Sequence, residues 1–148
     1  MIKSVLFVLT VLVSVNIAFA QDLNNFDSAM QEAKQGNSFA AFKVASMLDK
    51  GRGVEADKAQ AINWYKTSAK LGYSQAQSML GFKYAMGNGV TKDMKTAYAW
   101  FDVALKNGHE ISEQYRDKAA SELSASELEV AKDISAKWFK AYKAPETE

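Results

Sequence analysis

From residue 23 onward, apolar residues recur every three or four positions, and no stretch alternates for long at period two. Phe39, Phe42, Ala45 and Leu48 share one helical face, which predicts a helix over 38–50. Ala61, Trp64, Tyr65, Ser68 and Ala69 predict a second helix that ends at Gly72. Between them, Gly51-Arg52-Gly53-Val54 reads as a tight turn, and Asp57 as the N-cap of the second helix.

The same layout returns with a fixed offset. Gly51, Gly53 and Gly72 reappear 36 residues later as Gly87, Gly89 and Gly108, and Gly36 lies 36 before Gly72. Val54 and Val90, Asp57 and Asp93, Ala61 and Ala97, Trp64 and Trp100, Tyr65 and Phe101, and Ala40 and Ala76 share that offset. The second unit therefore predicts a helix over 74–86, the turn Gly87-Asn88-Gly89-Val90, Asp93 as cap, and a helix to Asn107. A period of this size marks an array of helix pairs that stack because no unit can bury its apolar face alone.

The ends are partial units. Leu23 to Gln35, with Phe26, Ala29, Met30 and Ala33, reads as the second helix of an incomplete pair. Ser112 is the expected cap of a helix to about Leu123. Ser124-Ala125-Ser126-Glu127 spells a capping box, and the last helix would face inward with Leu128, Ala131, Ile134, Trp138 and Tyr142. The count is about seven helices, and the class is all-α. The organisation divides into a partial unit over 22–36, repeat one over 37–72, repeat two over 73–108, capping helices over 110–143, and a polar tail over 144–148 with the single proline, Pro145.

Residues 1–20 differ in kind. Lys3 is followed by an uncharged run from Ser4 to Ala20, 17 residues long, closing on Ala18-Phe19-Ala20. A basic start, a short apolar core and an A-x-A end describe a cleavable signal peptide, cut after Ala20, so the expected location is periplasmic or secreted. A run of that length is at the short limit for crossing a bilayer, and no stable membrane insertion is expected after cleavage.

Removing those residues takes away Lys3 and leaves 17 basic against 17 acidic residues, so the net charge falls from +1 to zero. That balance argues against nonspecific nucleic-acid binding. The chain has no cysteine, which removes disulfides, thiolate metal sites and cysteine nucleophiles together.

The pattern Ala76, Leu80-Gly81, Tyr84, Gly87-x-Gly89-Val90, Asp93, Ala97, Trp100-Phe101, Ala104 and Gly108 resembles the Sel-one-like repeat family, a relative of tetratricopeptide repeats. Unit one matches at Ala40, Gly51-x-Gly53-Val54, Asp57, Ala61, Trp64-Tyr65, Ala69 and Gly72, but has Val44-Ala45 and Leu48 where unit two has Leu-Gly and Tyr. The resemblance implies a right-handed α-solenoid of antiparallel helix pairs, acting as a non-enzymatic scaffold or regulator that binds a protein or peptide. It also implies a narrower alternative, an inhibitor or immunity factor for an exported toxin or hydrolase. An envelope-polymer hydrolase is the alternative of another class, suggested by cysteine-rich relatives whose disulfides this chain lacks.

Little catalytic chemistry is legible. Gly51-Arg52-Gly53-Val54-Glu55-Ala56 spells a dinucleotide fingerprint but follows a helix instead of a strand, and Lys92 breaks the second copy. His109 is the only histidine, beside Glu110 and Glu113, and reads as a solvated loop residue. No metal, cofactor or catalytic residue is expected. Trp64, Tyr65, Tyr84, Trp100 and Phe101 occupy repeat positions and are expected in the core. Met79, Phe82 and Met86 share another face of the first helix of unit two, where unit one carries Lys43, Ser46 and Lys50. Two readings stand side by side: a partner-binding patch on the concave side, made by Met79, Phe82 and Met86 with Lys43 and Lys83 at its edge, or a wide apolar face packed against neighbouring helices.

Overall fold

The computed structural model describes residue 21, residue 23 and residues 25–144. The expected signal peptide and the polar tail beyond residue 144 lie outside the described residues. Within them the chain forms seven helices and no strand: α1 over 25–34, α2 Ser38–Lys50, α3 Lys58–Lys70, α4 Ser74–Met86, α5 Met94–Lys106, α6 Ser112–Ser121 and α7 Ala125–Ala141. Helices α2 and α3 pair, α4 and α5 pair, α3 packs on α4, and α5 packs on both α6 and α7. The architecture is an all-α repeat solenoid. No described helix is long and apolar enough to cross a membrane.

The period read from glycines is a period of backbone geometry. Helices α2 and α4 start 74 − 38 = 36 residues apart, and α3 and α5 start 94 − 58 = 36 apart. Gly51, Gly53, Gly87 and Gly89 have φ between 66° and 79°, which lets each G-x-G turn reverse the chain without a Cβ clash. The turn then closes on itself: the Asp57 amide donates to the Leu48 carbonyl at 2.9 Å, and the Asp93 amide to the Tyr84 carbonyl at 3.0 Å. Asp57 accepts from the Gln60 amide, and Asp93 from the Lys95 and Thr96 amides, so both aspartates cap as expected. The Ser124–Glu127 capping box is present in full.

Two terminal expectations are corrected. Helix α6 ends at Ser121, short of Leu123, and its N-cap is Ile111, which makes no side-chain cap bond. Ser112 instead lies fully buried and donates to Ser78 Oγ at 3.0 Å. Its hydroxyl is drawn inward because α6 packs on the array, and the buried Ser78 needs a partner.

Alanine makes the close packing possible. Ala41, Ala45, Ala61, Ala69, Ala76, Ala97, Ala99, Ala104 and Ala131 are fully buried, which lets the helix backbones approach. Around them Val44, Leu48, Tyr65, Leu80 and Trp100 form one apolar cluster, and Ala97, Tyr98, Phe101, Ala119 and Ala131 a second. Tyr65, Trp100 and Phe101 are core residues as expected, while Trp64 and Tyr84 are half-buried. Phe39 departs further, at 56% exposed. The face of α2 that turns inward is Ala40, Ala41, Val44, Ala45, Met47 and Leu48, so Phe39 rests edge-on against Tyr73 at the rim.

Helix α7 runs along α5. Trp138 lies 4.4 Å from Trp100 between ring centroids, and Tyr142 stacks on the same indole at 6.0 Å and 16°. Ser135, which the sequence pattern did not single out, is fully buried and donates to Asp102, which also meets Lys106 at 2.6 Å and Arg116 at 3.7 Å. The chain after α7 is clasped: Gln77 and Asn107 both donate to the Tyr142 carbonyl at 3.1 Å, and the Ala144 amide donates to Asn107 Oδ1 at 3.0 Å. Gly72 makes room for this clasp, since a Cβ there would lie 2.6 Å from the Ala144 Cα.

Burial pushes the Tyr65 hydroxyl up to about 12, helped by the negative charge of Asp49. The unfolded chain ionises this tyrosine near its ordinary value of 10.0, so the stability it supports is complete below pH 10 and is lost as pH rises towards about 12. Over that window the loss should be on the order of 3 kcal/mol. Urea titrations at a series of alkaline pH values should show it, and Tyr65→Phe should be visibly less sensitive over the same window. Equal slopes for the two proteins would contradict the assignment.

Candidate functional site

The 36-residue offset locates a site by comparing two junctions. Between repeat one and repeat two, Asp49 of α2 meets Lys83 of α4, with the ammonium 2.7 and 2.6 Å from the two carboxylate oxygens and 5.9 Å from the Tyr65 ring centre. Lys83 is only 6% exposed, so the pair fills the crevice between the helices. Between repeat two and α6, the equivalent positions are 49 + 36 = 85 and 83 + 36 = 119. Both are alanine. Where an ion pair closes the first junction, two methyl groups leave the second one open.

The opening is a cavity of about 250 Å³ lined by Phe82, Ala85 and Met86 of α4, Met94 and Phe101 of α5, Tyr115, Lys118 and Ala119 of α6, and Lys92 and Glu122. Phe82 forms its floor, edge-on to Phe101 at 5.0 Å and to Tyr115 at 4.4 Å. Met86 stands at the lip, 77% exposed. The apolar lining is not something the repeat requires. Subtracting 36 from Phe82, Ala85, Met86 and Met94 gives Ser46, Asp49, Lys50 and Lys58, which are polar throughout.

The structure divides the residues expected to form one patch. Phe82 and Met86 line the groove together. Met79, on the same helix, is half-buried against the first apolar cluster. Phe82 points about 60° away from Met79, and Met86 stands two turns, about 10 Å, further along the axis than Met79; α4 lies between α3 and α5, so the stripe meets two different neighbours. Lys83 is corrected outright: it is a buried ion-pair partner, not an edge cation. Lys43 is exposed but belongs to a separate shallow cavity of about 180 Å³ on α2, with Phe39, Phe42, Ser46, Met47 and Arg52. Tyr115, Lys118 and Met94 were not foreseen. Tyr115 and Lys118 lie on α6, beyond the two clear repeat copies. Met94 is one residue past a capping aspartate, where the repeat comparison gives only Lys58.

A wider trough of about 820 Å³ adjoins the groove, lined by Tyr84, Val90, Asp93, Lys95, Leu123 and Glu127 among others. Two of its three carboxylates, Asp93 and Glu127, are engaged in helix caps. Burial pushes the Asp93 carboxyl up, but the Thr96 hydroxyl and amide and the Lys95 amide outweigh it and hold it below the ordinary range. The Ser124 amide and hydroxyl likewise hold Glu127 down. Groups spent on helix caps are poor candidates for proton transfer.

His109 is less free than expected. Its Nδ1 lies 2.9 Å from the Ser112 hydroxyl. This is a serine beside an imidazole, but the serine is fully buried and donates to Ser78, so no substrate can reach it. Among the described residues, no three His, Asp or Glu side chains are grouped to hold a metal ion.

The family model described as the Sel1 repeat matches residues 38–73 and 74–109. The chain is similar to the crystal structure of a protective antigen of uropathogenic Escherichia coli that displays an SLR fold, with a TM-score of 0.76 and 32% identity. That similarity covers 79% of this chain but 25% of the antigen, so the chain spans about a quarter of its relative's length. It is also similar to a Sel1 repeat protein from Oxalobacter formigenes, at a TM-score of 0.58 and 24% identity, over 72% of this chain and 96% of that one. At that identity the second likeness speaks for the fold alone. No curated protein matches the chain. Sel1 repeat proteins are generally protein-interaction scaffolds, and their fold is typically non-catalytic.

Proposed function

From a chain that carries two Sel1 repeats, we propose an exported protein-binding scaffold or regulator whose contact surface is the groove between α4 and α6. The observation that supports this most directly is the open second junction. Ala85 and Ala119 stand where the first junction has a closing ion pair, and Phe82, Met86, Met94 and Tyr115 line the gap. Phe82, Met86 and Met94 are apolar where repeat one carries Ser46, Lys50 and Lys58, and Met86 is exposed, which marks an interaction surface. A cavity of about 250 Å³ is smaller than the roughly 300–1,000 Å³ typical of small-molecule sites. It suits an anchoring side chain of a longer partner.

Export rests on the basic start, the uncharged run and the A-x-A end of residues 1–20. In the native host, the mature protein should begin at Gln21 by N-terminal sequencing, and recovery of the intact N-terminus from the membrane would refute cleavage.

Partner contact is tested with a photo-crosslinking residue in place of Met86, and in a control protein in place of Val130, which is also exposed. A protein adduct should form at 86 and not at 130. Met86→Glu, placed on the lip where folding does not depend on it, should weaken binding of that partner at least about tenfold, equal to about 1.4 kcal/mol. Adducts that form equally at both positions, or an affinity unchanged by Met86→Glu, would remove the groove from consideration.

A further inference from the structure

The same groove has a charge pattern that narrows what it can hold, an inference that rests on the reading of the groove as a partner site. Lys92 and Lys118 are exposed on its rim, and neither forms an ion pair among the described residues. Lys92 is specific to repeat two, since the equivalent position 92 − 36 = 56 is Ala56. Lys118 likewise stands one position before Ala119, on a helix whose other cation, Arg116, is consumed by Asp102, Glu113 and Asp117. The remaining charges nearby are spoken for: Asp93 caps α5, Glu127 caps α7, and Lys95 faces Glu127 at 3.9 Å. Glu122 is the one carboxylate on the lining, at the C-terminal end of α6. Two uncommitted cations therefore flank an apolar floor against one carboxylate.

We propose that the groove takes an acidic protein segment. One large apolar side chain enters the cavity over Phe82 and Tyr115, and carboxylates on either side of it meet Lys92 and Lys118. The first junction offers the physical precedent within this fold. There a carboxylate and an ammonium close the crevice from within one chain, with an aromatic face beneath. At the second junction the apolar filling and the negative charge must both come from outside. Met86 and Met94 suit such an anchor because their unbranched side chains adapt to differing shapes. Exposed pairs of this kind contribute modestly to affinity but strongly to discrimination against like-charged partners.

The test uses three fluorescein-labelled peptides. One has a central Leu-Phe pair flanked by glutamates, one has the same pair flanked by lysines, and one has the glutamates with the pair replaced by alanines. Fluorescence anisotropy with the mature protein should show the first binding at least about tenfold more tightly than either other, with the preference shrinking as salt rises. Lys92→Glu combined with Lys118→Glu, both exposed and outside the core, should reverse the preference between glutamate and lysine flanks. Equal binding of the two Leu-Phe peptides would overturn the acidic assignment and leave the apolar groove standing. No binding of any peptide, while crosslinking at position 86 still traps a partner, would also overturn it. Failure of both the peptides and the crosslinking would overturn the groove itself.

Discussion

Trp100→Ala is expected to lower the unfolding free energy by about 3–5 kcal/mol, the range for truncating a buried indole. Trp100 is 4% exposed and belongs to the first apolar cluster, yet its ring also carries α7 through Trp138 and Tyr142. Removal opens a void in the stacked repeats and takes away the surface on which the closing helix lies. For a domain whose total stability is about 5–15 kcal/mol, that is a large fraction. Trp64→Ala, at the equivalent position of repeat one, removes a half-buried ring and should cost clearly less. Urea unfolding followed by circular dichroism measures both. Hydrogen exchange should add a spatial signature, with protection lost first in α7. Equal costs for the two tryptophans would refute the special role of Trp100.

Lys83→Ala should cost a similar amount, about 3–5 kcal/mol, because it strands the Asp49 carboxylate in a crevice shaped for an ion pair. The side chains of Lys83 and Asp49 are 7% and 16% exposed, so water reaches neither charge well. Replacing both, as Asp49→Asn with Lys83→Met, removes the stranded charge and keeps the volume. This double variant should lie within about 1.5 kcal/mol of the parent. A double-mutant cycle in urea, with Asp49→Asn and Lys83→Met each alone and together, gives the coupling directly. A single-variant cost below about 1 kcal/mol would mean that the pair is solvated in solution and does not close the junction.

These two residues also measure what the amino-acid sequence discloses. Trp100 was legible as core, because the 36-residue offset pairs it with Trp64 and places it on the apolar face of its helix. Its role as the seat of α7 was not, since Trp138 and Tyr142 lie on a helix outside the repeat. Lys83 reads from the helical pattern as an edge cation, yet it is buried. Helical spacing puts it beside Met79, Phe82 and Met86, and lysines on such a face are usually solvated. Nothing in the local pattern reveals that Asp49, 34 residues earlier, sits opposite. The candidate groove was half legible for the same reason. Phe82 and Met86 stand out as apolar where unit one is polar, but the gap between them and α6 depends on Ala85 and Ala119, which both line it. Alanine carries no signal of its own in a helix-rich chain.

By itself, then, the sequence determined the local structure: four helices in register with a 36-residue period, G-x-G turns, aspartate caps and a capping box. These features follow from bonds between residues three to nine apart and from the backbone freedom of glycine, so they are written where they act. Tertiary structure decided which faces became interior, that a lysine is buried and a phenylalanine exposed, and that one inter-repeat junction is closed while the next is open. Those outcomes depend on the side chains that each helix meets from other helices, 19 residues away for Phe82 and Phe101 and 34 for Lys83 and Asp49, and only the packed array brings them together.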